Sequence, residues 1–128
     1  MHKKYIAIGA MLAGIAVILG AFAAHGLKKI LTVQDIAVFE TGVRYQMYHA
    51  FAIIIVGILY KENYSKKLLL AGKLFMLGIV LFSGSLYLLT AIKYLQTDSF
   101  LWIGAITPLG GVCFIAAWLL VCISFWKR

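Results

Sequence analysis

The chain has 128 residues, of which 64% are hydrophobic and only 12% are charged, and its formal net charge is +8. This length predicts a single domain. Soluble domains carry about 45–50% apolar and about 25% charged residues, so the composition excludes an ordinary soluble protein. The basic residues stand in short clusters between apolar runs, which is typical of membrane proteins and not of a nucleic-acid-binding face. We therefore expect an integral membrane protein whose partners include anionic lipid headgroups, and no nucleic acid.

The first apolar run covers residues 5–24 and follows His2, Lys3 and Lys4. A signal peptide has an apolar core of roughly 7–15 residues, whereas a membrane-spanning helix needs about 20. We therefore interpret residues 5–24 as a retained first span. Ala16, Gly20 and Ala24 follow one another at intervals of four residues, and small residues at this spacing allow a neighbouring helix to approach closely.

Three further apolar runs predict spans at residues 43–60, 74–92 and 100–126. The fold class is therefore an all-α integral membrane protein, a four-helix transmembrane bundle that forms one membrane domain over residues 1–128. The connection between the first two spans has room for an interfacial helix. Thr32 is the expected N-cap of a helix that begins there, and Gly42 is the expected place for a bend.

The distribution of Lys and Arg predicts the orientation. Eight of these residues belong to the N-terminus, the second connection and the C-terminus, and only four (Lys28, Lys29, Arg44 and Lys93) belong to the other side. Basic residues are retained on the cytoplasmic side. We therefore expect a multi-pass protein of the cell (inner) membrane with both termini in the cytoplasm.

A polar segment, FETGVRYQMYHAF at 39–51, leads into the second span. On a helix, Glu40 and Arg44 are four residues apart and can pair, as can Tyr45 and His49. Tyr48 lies on the same side of the helix. With His25 at the end of the first span, these side chains form a candidate site for a lipid headgroup or a partner helix at the outer boundary, although charged residues also simply anchor span ends.

Other chemistry finds little support in the residues. The histidines and cysteines show none of the usual metal-ligand spacings, and no carboxylate lies inside a span beside a nucleophile. We therefore expect no metal, no cofactor and no catalytic site. The third and fourth spans contain Ser83, Ser85, Thr107 and Pro108, which we expect to serve helix packing and interhelical hydrogen bonding, with a kink at the proline.

Four sequence blocks, GAFAAHGL at 20–27, FETGVRYQMYHA at 39–50, LFSGSLYLL at 81–89 and GAITPLGGVCFIAAW at 104–118, resemble the signature blocks of domain-of-unknown-function family 423. These are small bacterial inner-membrane proteins, with transmembrane protein 256 as a eukaryotic relative. The resemblance implies four spans, and it brings no established activity and no catalytic residues to this chain.

Two functions follow as hypotheses. The first is a non-enzymatic membrane protein that acts in membrane organisation or as a small partner or lipid-binding subunit, alone or as a homo-oligomer. The second is a transporter or channel for a small polar or anionic solute, with His25, Arg44 and His49 at its selectivity site. Transport would require a continuous polar path through the bundle.

Overall fold

A computed structural model describes residues 1–95 and 101–126 of the chain, and these residues form helices joined by short connections. The long helices are α1 (Lys3–His25), α2 (Val33–Leu59), α3 (Lys66–Gly78), α4 (Gly84–Tyr94) and α5 (Ile106–Trp126). A π-helical segment, Ile79–Ser83, joins α3 to α4, so that the two make one span. Short 3₁₀ turns cover Leu27–Lys29 and Leu101–Ala105.

Four stretches are long and apolar enough to cross a membrane, as the sequence predicts: Lys3–Lys29, Val33–Leu59, Lys66–Tyr94 and Trp102–Trp126. The second and third begin eight to ten residues before the predicted starts at 43 and 74 because their first turns are polar yet still helical. Phe100, where the fourth span was expected to begin, and the basic pair Lys127 and Arg128 lie outside the described residues.

The first connection contains the 3₁₀ turn Leu27–Lys29, and the helix expected after Thr32 begins at Val33 and continues into the second span as α2. Thr32 has an extended backbone and its hydroxyl oxygen accepts a hydrogen bond from the backbone N–H of Asp35 at 3.2 Å, as expected for an N-cap. Gly42 does not break α2, which continues to Leu59.

Replacing Thr32 by alanine is expected to destabilise the start of α2, because the N–H of Asp35 would lose its acceptor. The loss should be about 1 kcal/mol, the usual cost of removing an N-cap side chain. Thermal unfolding in mild detergent would measure it, with Thr32→Ser as the control that keeps the hydroxyl. An equal loss for both variants would contradict the capping role.

The middle of the bundle is formed by α2 and by the span made of α3, the π-helical segment and α4. In their most apolar stretches 44% and 39% of the residues are buried, against 17% for α1 and for α5, so the first and last helices are the outer ones. The backbone N–H of His2 donates to the carbonyl of Gly57, and Asn63 donates to the carbonyl of Ser124, at 2.8 Å each. These contacts lie at the end of the bundle where α1 begins and α5 ends, which we call the terminal end. We call the opposite end, with residues 26–32 and Tyr94, the distal end.

Close helix contacts depend on glycine at several points. Gly9 of α1 lies against α2, where an added Cβ would stand 2.7 Å from the carbonyl oxygen of Ala50. Gly20, from the predicted stripe of small residues, has room for a Cβ at 3.5 Å from Val43, and its neighbour Ala24 is only half-buried. Of the predicted stripe, Ala16 is buried, and the other buried residues of α1 are Tyr5, Gly9 and Ala23.

Pro108 lies near the start of α5. It is the third residue of α5, which begins at Ile106 directly after the 3₁₀ turn Leu101–Ala105 of the same span. The change from 3₁₀ helix to α-helix therefore falls two residues before the proline, which has no N–H to donate to the preceding turn. The kink expected at Pro108 stays a prediction.

Candidate functional site

The polar side chains of residues 39–51 face three different directions. Tyr45 and His49 pack against α5 and the π-helical segment, Glu40 lies beside the first connection, and Arg44 and Tyr48 are exposed on the outside of the bundle. The expected single site therefore separates into three environments.

His49 is a buried packing residue. Its ring stacks on Phe114 with the centroids 3.5 Å apart and the planes 5° apart. Its Nδ1 lies 2.7 Å from the carbonyl oxygen of Tyr45, and its Nε2 accepts a hydrogen bond from the indole N–H of Trp118 at 3.2 Å. A carbonyl oxygen only accepts and an indole N–H only donates, so both contacts fit a neutral imidazole protonated on Nδ1. The contact with Tyr45 uses the backbone and not the hydroxyl.

Glu40 is turned towards the first connection and not towards Arg44. Within residues 1–95 and 101–126, the structure shows no ion pair or hydrogen bond between these two side chains, although they are four residues apart on α2. Glu40 lines a cavity of about 440 Å³ together with Lys28 and Leu31. His25 is exposed at the end of α1 and is not among the residues that line this cavity.

Arg44 and Tyr48 belong to a side of α2 that no helix in the described part of the chain covers. We call this side the open face; its exposed residues are Arg44, Tyr48, Phe51, Ile55 and Ile58. Val43 contacts α1 at Gly20, five residues before His25, and Arg44 lies one residue further from the distal end. At a rise of about 1.5 Å per residue, Arg44 is therefore about 9 Å from the distal end of α1.

Tyr48 lies deeper still. The neighbouring Gln46 donates to the carbonyl oxygen of Leu12, close to the middle of α1. Tyr48 is two residues further towards the terminal end, and its side chain is 54% exposed. Tyr48 therefore lies near the middle of the span, where lipid offers only hydrocarbon.

The core contains a polar residue that the sequence reasoning missed. Gln46 is 3% exposed; its Nε2 donates to Leu12 in α1 at 2.9 Å, and its Oε1 accepts from the hydroxyl of Tyr87 in α4 at 2.7 Å. One side chain thus links three helices. Gln46 lies on the opposite side of α2 from Arg44, where a single amide among apolar residues indicates a hydrogen-bonding partner inside the bundle.

The serines and threonine of the third and fourth spans connect helices in pairs. Ser83 donates to the carbonyl oxygen of Gly42 at 2.6 Å, and the hydroxyl of Ser85 lies within hydrogen-bonding distance of that of Thr107. Ser85 also donates to the carbonyl oxygen of Phe82 at 2.8 Å. No buried polar side-chain atom of the described part of the chain lacks a partner, and no three His, Cys, Asp or Glu side chains there cluster as metal ligands would.

Four apolar helices whose interior polar groups satisfy one another define a small four-span membrane protein. The chain belongs to the family described as "Protein of unknown function (DUF423)", whose model matches residues 19–111. No solved structure matches the chain.

Bacterial membrane proteins of similar length are among the relatives of the chain. It is 44% identical to the UPF0382 membrane protein SH2409 of Staphylococcus haemolyticus, over 98% of this chain and 97% of that one. It is 43% identical to the UPF0382 membrane protein YwdK of Bacillus subtilis, over 95% of each chain. A UPF0382 membrane protein of Haemophilus influenzae is 37% identical over 93% of this chain and 90% of its own.

Proposed function

We propose that the protein is a non-enzymatic subunit of the cell membrane that associates with a second membrane protein through the open face of α2, with its own termini in the cytoplasm. The observation that carries this proposal is the position of Arg44, exposed about 9 Å from the distal end of α1. Charged side chains at such depth either extend to the headgroups or meet a partner, because hydrocarbon does not solvate them.

Tyr48 favours a protein partner over a lipid headgroup. A headgroup phosphate can meet Arg44 when its side chain extends towards the interface, but no headgroup reaches the middle of the span, where the backbone of Tyr48 lies. A second helix offers hydrogen-bond acceptors at both depths. The hydrocarbon surface of Phe51, Ile55 and Ile58 would continue the same contact towards the terminal end.

The charge of the chain favours a different protein over a second copy. Only four residues are acidic, and by their positions none falls in the middle of a span. In a two-fold dimer through the open face, Arg44 would meet the same face of its copy and hence another Arg44. The expected partner is therefore a membrane-spanning helix with a carboxylate at the depth of Arg44.

The interior of the bundle supports association over transport. Three polar groups available for a path, Gln46, Ser83 and Ser85, are engaged in hydrogen bonds between or within helices. Such bonds contribute to packing, and a solute would have to break them to pass. An enzymatic role has even less support, since the buried serines Ser83, Ser85 and Ser124 donate to backbone carbonyl oxygens.

Photocrosslinking in cells would test the association. A benzoylphenylalanine in place of Tyr48 should form one discrete adduct with another membrane protein, and the same label in place of Val17 on the exposed side of α1 should not. Adding Arg44→Ala should remove at least about nine-tenths of the adduct, since an unpaired partner carboxylate in hydrocarbon costs several kcal/mol. Lys73→Ala, which removes an exposed lysine of α3, should leave it unchanged.

Other outcomes would overturn the proposal. An adduct of twice the chain's mass would indicate self-association, and an Arg44-dependent phospholipid as the one retained molecule in native mass spectrometry would indicate lipid binding. Solute flux into liposomes that Arg44→Ala abolishes would indicate transport.

A further inference from the structure

The distal end contains two cavities that share one wall. The first, of about 270 Å³, lies between the end of α1, the first connection, α2 and α4, and its lining is almost entirely apolar. The second is the cavity of about 440 Å³ beside Lys28 and Glu40. Leu31 lines both, so the apolar chamber lies on one side of this leucine and a chamber with one cationic and one anionic side chain lies on the other.

The apolar chamber is open on the side of the bundle that faces lipid. Phe22, Ile30 and Tyr94 line it and are 51%, 50% and 53% exposed, so they surround an entrance and not a closed core. Its volume is close to the lower end of ligand pockets, about 300–1,000 Å³. The atoms that line an empty cavity lack dispersion contacts on one side. In a membrane, the hydrocarbon that can fill the cavity and supply these contacts is a lipid tail.

The charged chamber determines which headgroup fits. Lys28 carries a positive charge suited to a phosphate, and the Glu40 carboxylate lies in the same chamber, where it would repel a headgroup that is only anionic. A headgroup with both a phosphate and a primary ammonium satisfies the two side chains together. A choline headgroup has no N–H to donate to the carboxylate.

We propose that these two chambers form a binding site for an aminophospholipid of the phosphoethanolamine class. One acyl tail occupies the apolar chamber, the phosphate contacts Lys28, and the ammonium contacts Glu40. Asp35 and Lys93 line another cavity, which shares Thr90 with the apolar chamber, but at about 110 Å³ it offers a headgroup less room than the cavity beside Lys28 and Glu40. The site does not use Arg44 and does not rest on the association proposed for α2.

Native mass spectrometry of the delipidated protein with equal amounts of dioleoyl phosphatidylethanolamine, phosphatidylglycerol and phosphatidylcholine would test the headgroup. The wild type should retain phosphatidylethanolamine preferentially. Lys28→Gln should weaken retention about tenfold, the effect of losing one charge-assisted hydrogen bond. The adjacent Lys29→Gln is the matched control, since Lys29 is exposed and lies outside both linings.

Glu40→Gln provides a second readout that a merely structural role would not produce. Removing the carboxylate should shift the preference from phosphatidylethanolamine towards phosphatidylglycerol. Equal retention of the three lipids by the wild type, or equal losses for Lys28→Gln and Lys29→Gln, would overturn the headgroup assignment.

The tail chamber is tested by filling it. Ala91 lines the apolar chamber and is exposed, so Ala91→Trp should block the entrance and reduce retention of all three lipids without loss of helicity. Ala21→Trp, on the exposed side of α1 and outside the lining, is the control. Unchanged retention in Ala91→Trp would overturn the tail site. Arg44→Ala should leave lipid retention unchanged, which separates this site from the association of α2.

Discussion

Replacing Gly110 by alanine is expected to destabilise the protein more than any other single-methyl addition in α5. A Cβ at this position would stand 2.8 Å from the Cα and 2.7 Å from the Cβ of Phe82, and it would overlap the backbone nitrogen of that residue as well. Backbone atoms do not swing aside as a side-chain end does. Either α5 or the π-helical segment must move, and overpacking of this kind costs about 1–3 kcal/mol.

Gly111 is the matched control for this prediction. It is the next residue of the same helix, and a Cβ there would meet nothing within 4 Å. Gly111→Ala should therefore be neutral or should stabilise by up to about 1 kcal/mol, the difference in helix propensity between the two residues. Thermal unfolding of both variants in the same detergent measures the contrast, and similar melting temperatures for the two would contradict the close approach of α5 to Phe82.

The second large effect is expected at Gln46. Gln46→Leu preserves the approximate volume of the side chain but removes the donor to Leu12 and the acceptor for Tyr87, so the Tyr87 hydroxyl is left without its partner between helices. The expected loss is about 1–3 kcal/mol, the cost of leaving a buried polar group unsatisfied. Because the amide touches both α1 and α4, the loss should appear in the global transition and not only as fraying of one helix.

A double-mutant cycle separates this hydrogen bond from packing. If Gln46 and Tyr87 interact as described, Gln46→Leu combined with Tyr87→Phe should cost less than the sum of the two single changes, by about 0.5–2 kcal/mol. Gln34→Leu, at an exposed position in the first turn of α2, should change stability little. Strictly additive effects at positions 46 and 87 would show that the hydrogen bond does not form.

Much of the fold follows from the sequence for simple physical reasons. Runs of apolar residues long enough to cross a bilayer leave the helix as the available structure, so the four spans and the N-cap at Thr32 are readable from residue types alone. The beginnings of the spans are less accurate, because polar residues at the ends of a helix look the same as those of a loop. For this reason α2 begins ten residues earlier than the predicted second span.

The candidate site was harder to read because one helix turn presents residues to several neighbours. The positions of Glu40, Arg44 and Tyr48 around α2 indicate that one side of this helix is polar. They do not indicate which of these residues α1 and the first connection cover. In the structure Lys28, which is distant in sequence, shares a cavity with Glu40. The i, i+4 spacing suggested a pair between Glu40 and Arg44, and tertiary contacts decide otherwise. The binding of a partner by Arg44 and the binding of a lipid by Glu40 are proposals.

Gln46 and the π-helical segment illustrate two kinds of omission. Gln46 was readable, since an amide on the side of α2 opposite to Arg44 requires a partner inside the bundle. The widened turn at Ile79–Ser83 was not readable, because its residues have ordinary helical preferences and the extra width depends on how α2 and α5 pack around it.

The unequal character of the first two spans has a consequence for how the protein enters the membrane. α1 is the most apolar of the four spans and buries few residues, so it can enter the lipid without another helix beside it. α2 is the least apolar span and contains Gln46 and Arg44. The amide of Gln46 finds its acceptor on Leu12 of α1. The emerging second helix is therefore accommodated best while the first is still beside it, and the two should be inserted during synthesis as a single hairpin.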